Sequence, residues 1–196
     1  MRSLVAILLA ALLAAPVRFA DVEIDGKSIA FVCDGSRWTR NKIDELSDEL
    51  TRTVDAMQPE QQFAVMFFAD DRATGFEDGR PVAATDENKR ALRDWLKDVK
   101  LGENSTPIAG LSRAFEAKPD AIIFVSDGEF KDYDGVEAHV ARLNPDRAVR
   151  VYTIGFFEDE KEDDSRPFVR FMQKLAEQNG GQFKAVYADE LKRRAN

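Results

Sequence analysis

The stretch Ser28-Ile29-Ala30-Phe31-Val32-Cys33-Asp34-Gly35-Ser36 constrains this chain most, because an unbroken apolar run of strand length empties into a carboxylate, a glycine and a hydroxyl. Such a run, with no alternating polar residues, is covered on both faces, as the strands of a parallel sheet are. A second run, Ala121-Ile122-Ile123-Phe124-Val125, ends the same way in Ser126-Asp127-Gly128-Glu129. Side by side, the two strands bring two carboxylates to one sheet edge, and the carboxyl ends of strands are where open α/β sheets hold their ligands. Between them, Gly102-Glu103-Asn104-Ser105-Thr106-Pro107 reads as a loop that delivers the Thr106 hydroxyl to the start of a helix. Asp34, Ser36, Thr106 and Asp127 are oxygen donors of the kind a hard divalent cation takes. Without a ligand, Thr106 is simply the cap of its own helix.

The rest of the chain alternates. Ile43, Leu46, Leu50, Val54 and Met57 recur at helical spacing in a helix over 39–57, whose acidic residues Asp44, Glu45, Asp48 and Glu49 are expected to face solvent. A buried strand over 62–69 follows, then a turn at Asp70-Asp71 and a polar edge strand over 73–77 returning antiparallel. Helices are expected over 85–100, 106–117 and 134–143, and a strand over 149–156. An acidic loop, 158–164, capped by Ser165, leads into a helix carrying Phe168, Phe171, Met172 and Leu175, which Asn179-Gly180-Gly181 stops. The last strand covers 182–187, and 189–194 reads as a frayed tail. Strands alternating with helices at this spacing make a mostly parallel sheet with helices on both faces.

With 196 residues and 44% apolar content, the chain suits one domain with a single large core. Its net charge of −8 argues against nucleic acid as a partner. The apolar tract 4–17, with Arg2 before it, is shorter than the ~20 residues of a membrane span and reads as a secretory signal region. Residues 1–20 are therefore expected to be a signal peptide cleaved after Ala20, or an uncleaved signal anchor, with the domain over 21–196. That places the protein outside the cytoplasm, in a periplasmic, envelope-associated or secreted location, with membrane contact only through that segment. Cys33, the one cysteine, allows no internal disulfide and reads as a small buried hydrophobe. His139, the one histidine, reads as a solvated helix residue and leaves no His-based zinc site. Phosphate-cradling glycine patterns and His-Glu-x-x-His are absent.

The ordered set Asp34-x-Ser36, Thr106 and Asp127 before Gly128 resembles a von Willebrand factor A domain, whose metal-ion-dependent adhesion site reads Asp-x-Ser-x-Ser, then Thr, then Asp. The resemblance covers roughly residues 27–190. It implies a Rossmann-like three-layer αβα sandwich, its six-stranded sheet ordered 3-2-1-4-5-6 with strand 3 antiparallel at the edge. It further implies Mg2+ or another divalent cation held by Asp34, Ser36, Thr106 and Asp127, and a protein partner whose acidic side chain completes the coordination. The domain would then be a non-enzymatic adhesion or assembly module. Trp38 stands where the family has its second Ser, which removes a hydroxyl ligand and sets an indole beside the ion's seat. A metal-free scaffold of the same fold is the alternative. A haloacid dehalogenase-like phosphatase with Asp34 as nucleophile is a further one, but Ser36 stands where that pattern has its general-acid Asp.

Overall fold

The computed structural model describes residues 15–128, 130–157 and 167–195, with the main chain alone at 38, 194 and 195. Most of the 4–17 tract, Glu129, the acidic loop and its Ser165 cap lie outside the described residues.

Strand β3 (Ser28–Asp34) lies at the centre, between parallel neighbours β4 (Gln62–Ala69) and β7 (Ala121–Ser126). Parallel pairing continues through β8 (Arg150–Phe157) to β9 (Phe183–Tyr187). On the other side, β5 (Arg72–Gly75) and the two-residue β6 (Val82–Ala83) pair antiparallel with β4. The order β5-β4-β3-β7-β8-β9 is the one the resemblance implies, and β6 adds a short strand not expected from the sequence. The chain winds outward from β3 to β4 and β5, then crosses back to start again at β7. Strands β3 and β7 are thus neighbours at the reversal of winding, where loops diverge and leave a crevice.

Side chains alternate between two cores, as the period of a strand demands. Phe31, Cys33, Val65, Phe67, Ile123 and Val125 pack with helices α1 (Ile43–Ala56), α2 (Asp86–Leu96) and α6 (Ala188–Ala195). Ala30, Val32, Met66, Phe68, Ile122 and Phe124 pack with α3 (Ile108–Glu116), α4 (Tyr133–Leu143) and α5 (Pro167–Gln178). Helix α3 approaches the sheet closely through Gly110, where an added Cβ would lie 3.0 Å from both Phe68 Cβ and Val32 Cγ1. Burial pushes the Cys33 thiol far up, in keeping with an inert core residue.

Several expectations need correction, and most share one cause. Ahead of the first expected strand the chain forms a β-hairpin, β1 (Val17–Phe19) and β2 (Val22–Ile24), that packs on α1 with Val17, Phe19, Ala20, Val22 and Ile24 buried. Phe19 meets the ring of Phe31 at 5.6 Å, Thr53 Oγ1 donates to the Arg18 carbonyl, and Lys184 Nζ donates to the Ala20 carbonyl. The expected domain boundary after Ala20 therefore falls inside a packed element. The same hairpin buries Glu49, which accepts from the Ala20 N–H and pairs with Arg52 instead of facing solvent. The expected frayed tail is helix α6, held against α1, where Lys192 pairs with Glu45 at 3.1 Å. Among the described residues, no helix is long and apolar enough to cross a membrane.

His139 is half-buried between two helices rather than solvated. Its Nε2 lies 2.7 Å from Ser112 Oγ on α3, and Arg142 Nη2 lies 2.7 Å from its Nδ1. Because Ser112 Oγ donates to the Ile108 carbonyl and Arg142 can only donate, the ring is neutral with its proton on Nε2. Burial, and then the Arg142 charge, lowers its pKa.

Candidate functional site

Asp34 ends β3 one residue beyond Cys33, whose partner across the ladder is Val125, so the Asp34 side chain emerges level with Ser126 at the end of β7. Only 1% exposed, Asp34 is the hub of the rim. Its Oδ1 accepts the Ser36 N–H at 2.8 Å, a local turn bond that fixes the chain leaving the strand. Oδ2 accepts two hydroxyls, from Ser105 at 2.7 Å and from Ser126 at 3.0 Å. One carboxylate thereby fastens the β3–α1 loop, the 102–106 loop and the end of β7. Ser126 Oγ in turn accepts the Gly128 N–H at 3.0 Å. Gly128 has φ +78, and a Cβ there would lie 2.1 Å from Phe168, so the turn that aims Asp127 needs glycine.

Thr106 is at the rim but engaged differently. Its Oγ1 accepts the Asp71 N–H at 2.7 Å, and the residue capping α3 is Pro107, so Thr106 is not the helix cap. Asp70 braces the same loop, accepting from the N–H groups of Asn104 at 2.9 Å and Glu103 at 3.1 Å, and from Asn104 Nδ2 at 2.9 Å. Those bonds, the Asn104 N–H foremost, hold its carboxyl below the ordinary carboxylate range.

Asp127, 9% exposed, faces a cation supplied by the chain itself. Lys42 Nζ lies 3.6 Å from its Oδ2 and donates to the Phe156 carbonyl at the end of β8 at 2.9 Å. The Lys42 side chain, 8% exposed, also sets its ammonium 5.6 Å from the centre of the Phe156 ring. Ser36 Oγ, by contrast, is a buried hydroxyl with no hydrogen-bond partner.

The four residues picked from the sequence thus share one rim with different neighbours: Asp34 with Ser105 and Ser126, Asp127 with Lys42, Thr106 with Asp71, and Ser36 with an idle hydroxyl. Sequence reasoning missed Ser105, Ser126 and Lys42. Ser126 was legible as the hydroxyl ending its strand beside Asp127, and Ser105 as the residue before Thr106. Lys42 carried no signal, since a lysine ahead of a helix is ordinarily solvated.

These surroundings do not fit the divalent ion the resemblance implies. The idle Ser36 hydroxyl suits a small ligand, and a water molecule meets that need. Asp127 already faces an ammonium, the Asp34 oxygens accept hydrogen bonds from three donors of the chain, and position 38 has no hydroxyl.

Above the hub lies an open cleft of about 770 Å3 between the 102–108 and 130–136 segments. Asp70, Asp71, Glu103 and Asp132 supply its carboxylates, Arg37 and Lys131 its cations, and Ile108 and Phe130 its apolar surface. Ile108 is 38% exposed. Ser105 belongs to both structures, lining the cleft with one side while bonding Asp34 with its hydroxyl.

No family model matches the chain. Among curated proteins, von Willebrand factor A domain-containing protein 3B of Homo sapiens is 23% identical over 158 residues, which is 79% of this chain and 11% of the human protein. Among solved structures, a von Willebrand factor type A protein from Catenulispora acidiphila superposes with a TM-score of 0.65 at 16% identity, over 88% of this chain and 43% of that one. Proximal thread matrix protein 1 from the mussel byssus gives a TM-score of 0.59 at 23% identity, over 85% of this chain and 43% of that one. The chain therefore spans less than half the length of each.

Proposed function

We propose that this chain, whose fold is that of a von Willebrand factor A domain, is a protein-binding module that seats a partner segment in the cleft above the strand ends. The observation that carries the reading is the coupling at Ser105. A loop that lines the cleft is fastened by a buried carboxylate at the winding reversal, so the surface offered to a partner is pre-organised, and little ordering cost falls on binding. The fold is one commonly used for protein–protein interaction, and its likeness to a matrix protein of the mussel byssus supports that use.

The expected acidic side chain of the partner depended on a cation at the rim. The cleft itself, with four carboxylates against two cations and an exposed Ile108, favours a segment carrying basic and apolar side chains. The module is proposed to be non-enzymatic. An attacking carboxylate needs an unencumbered oxygen, and both oxygens of Asp34 accept hydrogen bonds in a buried setting. Export is proposed from the apolar tract, with any cleavage falling ahead of Val17, because the hairpin beyond it is part of the core.

Panning a randomised peptide display library on the chain tests the function. Enrichment of basic-apolar peptides is expected, with binding weakened about tenfold or more by Ile108→Asp or Glu103→Lys, the loss of roughly one good contact at 1.4 kcal/mol per decade. The same substitution type at Asp94, on the far side of α2, should leave binding unchanged. Absence of enrichment, or enriched peptides indifferent to both cleft variants, would contradict the reading.

A further inference from the structure

We propose that the ammonium of Lys42 is a resident cation of the rim, which commits the Asp127 carboxylate to a charge of the chain itself and takes it from the divalent metal that the resembled site would hold. Lys42 is the residue before α1 (φ −124, ψ 4), three past the short 3-10 turn over Arg37–Thr39, and its side chain is buried. It ends between two strand termini, donating to the Phe156 carbonyl at 2.9 Å and lying 3.6 Å from Asp127 Oδ2. An ammonium this buried persists only when paired, and Asp127 supplies the opposite charge beside it.

A divalent ion bonded to Asp127 would sit about 2.1 Å from a carboxylate oxygen, in close like-charge contact with the ammonium. Accommodating it would require Lys42 to withdraw, abandoning the Phe156 carbonyl and leaving its charge without the partners it has now. The remaining donors point the same way. Trp38 offers no hydroxyl at the fifth ligand position, and Thr106 Oγ1 is already the acceptor that ties down Asp71. The rim is thus built around an ammonium charge held permanently in place, and it needs no metal supply.

The test uses the full chain, its Lys42→Met and Lys42→Arg variants, and Mn2+ as the probe. Manganese added to the parent is expected to stay free by electron paramagnetic resonance and to leave Tm unchanged, and EDTA is expected to do nothing. Lys42→Met removes the ammonium from beside a buried carboxylate and should melt about 6–15 °C lower, while Lys42→Arg, which keeps the charge, should retain most of the parent's Tm. Because the other donors are already engaged, saturating Mn2+ is expected to leave the Tm of Lys42→Met unchanged as well. Stoichiometric Mn2+ binding by the parent overturns the proposal even if no variant folds. A Lys42→Met variant that melts with the parent, or a Lys42→Arg variant that melts as low as Lys42→Met, overturns it as well. None of these readouts involves a peptide, so their failure is separable from failure of the protein-binding reading.

Discussion

At the residue scale, the rim shows how single side chains acquire roles from their neighbours more than from their type. Asp34 and Asp127 each end a buried strand, yet one gathers hydroxyls and the other an ammonium, because the adjoining loops bring different donors. His139 makes a parallel case away from the rim. Its neutral ring links α3 to α4 through Ser112, and its pKa lies below the ordinary value. With the folded pKa lowered, the unfolded chain takes up a proton first as pH falls, so stability is fully present above the unfolded value of about 6.5. It then declines toward the folded pKa. Urea denaturation between pH 7.5 and 5.5 should therefore show a loss of stability on acidification that His139→Gln abolishes. A parent whose stability is flat across that window, or a variant with the same slope, would contradict this placement of the ring. From sequence, His139 reads as solvated, because the helical pattern of α4 does not reveal that α3 lies alongside.

At the element scale, long elements were legible and short ones were not. Strands β3, β4, β7 and β8 declare themselves by unbroken apolar runs, and α1 and α5 by sustained helical spacing. The hairpin escapes because its strands are three residues each, a length at which alternation cannot be told from chance. Its first strand also lies in a tract whose composition resembles an export signal. Helix α6 escapes because it is only eight residues long and largely charged, which reads as a solvated tail. Missing those two elements also misplaces the acidic face of α1, since hairpin and helix are what cover Glu49 and Glu45. The hairpin makes a direct prediction. Phe19→Ala should destabilise the chain by about 3–5 kcal/mol, as large core truncations do, and Ile24→Ala by about 2–5 kcal/mol. Parent-like stability of both variants by urea denaturation would show that the hairpin is not part of the core.

At the scale of the whole molecule, the alternation of strands and helices makes a parallel sheet legible, while the strand order comes from the resemblance and not from spacing. That order places β3 beside β7, and the adjacency turns two strand-end motifs 93 residues apart into one rim. The set of candidate residues was legible to the same extent: the right rim, but not the internal cation, because a contact between Lys42 and Asp127 spans the fold and leaves no trace in either local sequence. A partner seated in the cleft should shield the loops that line it. Hydrogen exchange of the chain with and without a saturating selected peptide reads this out. Slowed exchange is expected at the amides of 70–71, 103–106, 108 and 130–136, with the β1–β2 hairpin and the β9 edge unaffected; protection centred on the hairpin or on β9, with the cleft unchanged, would rule this seat out.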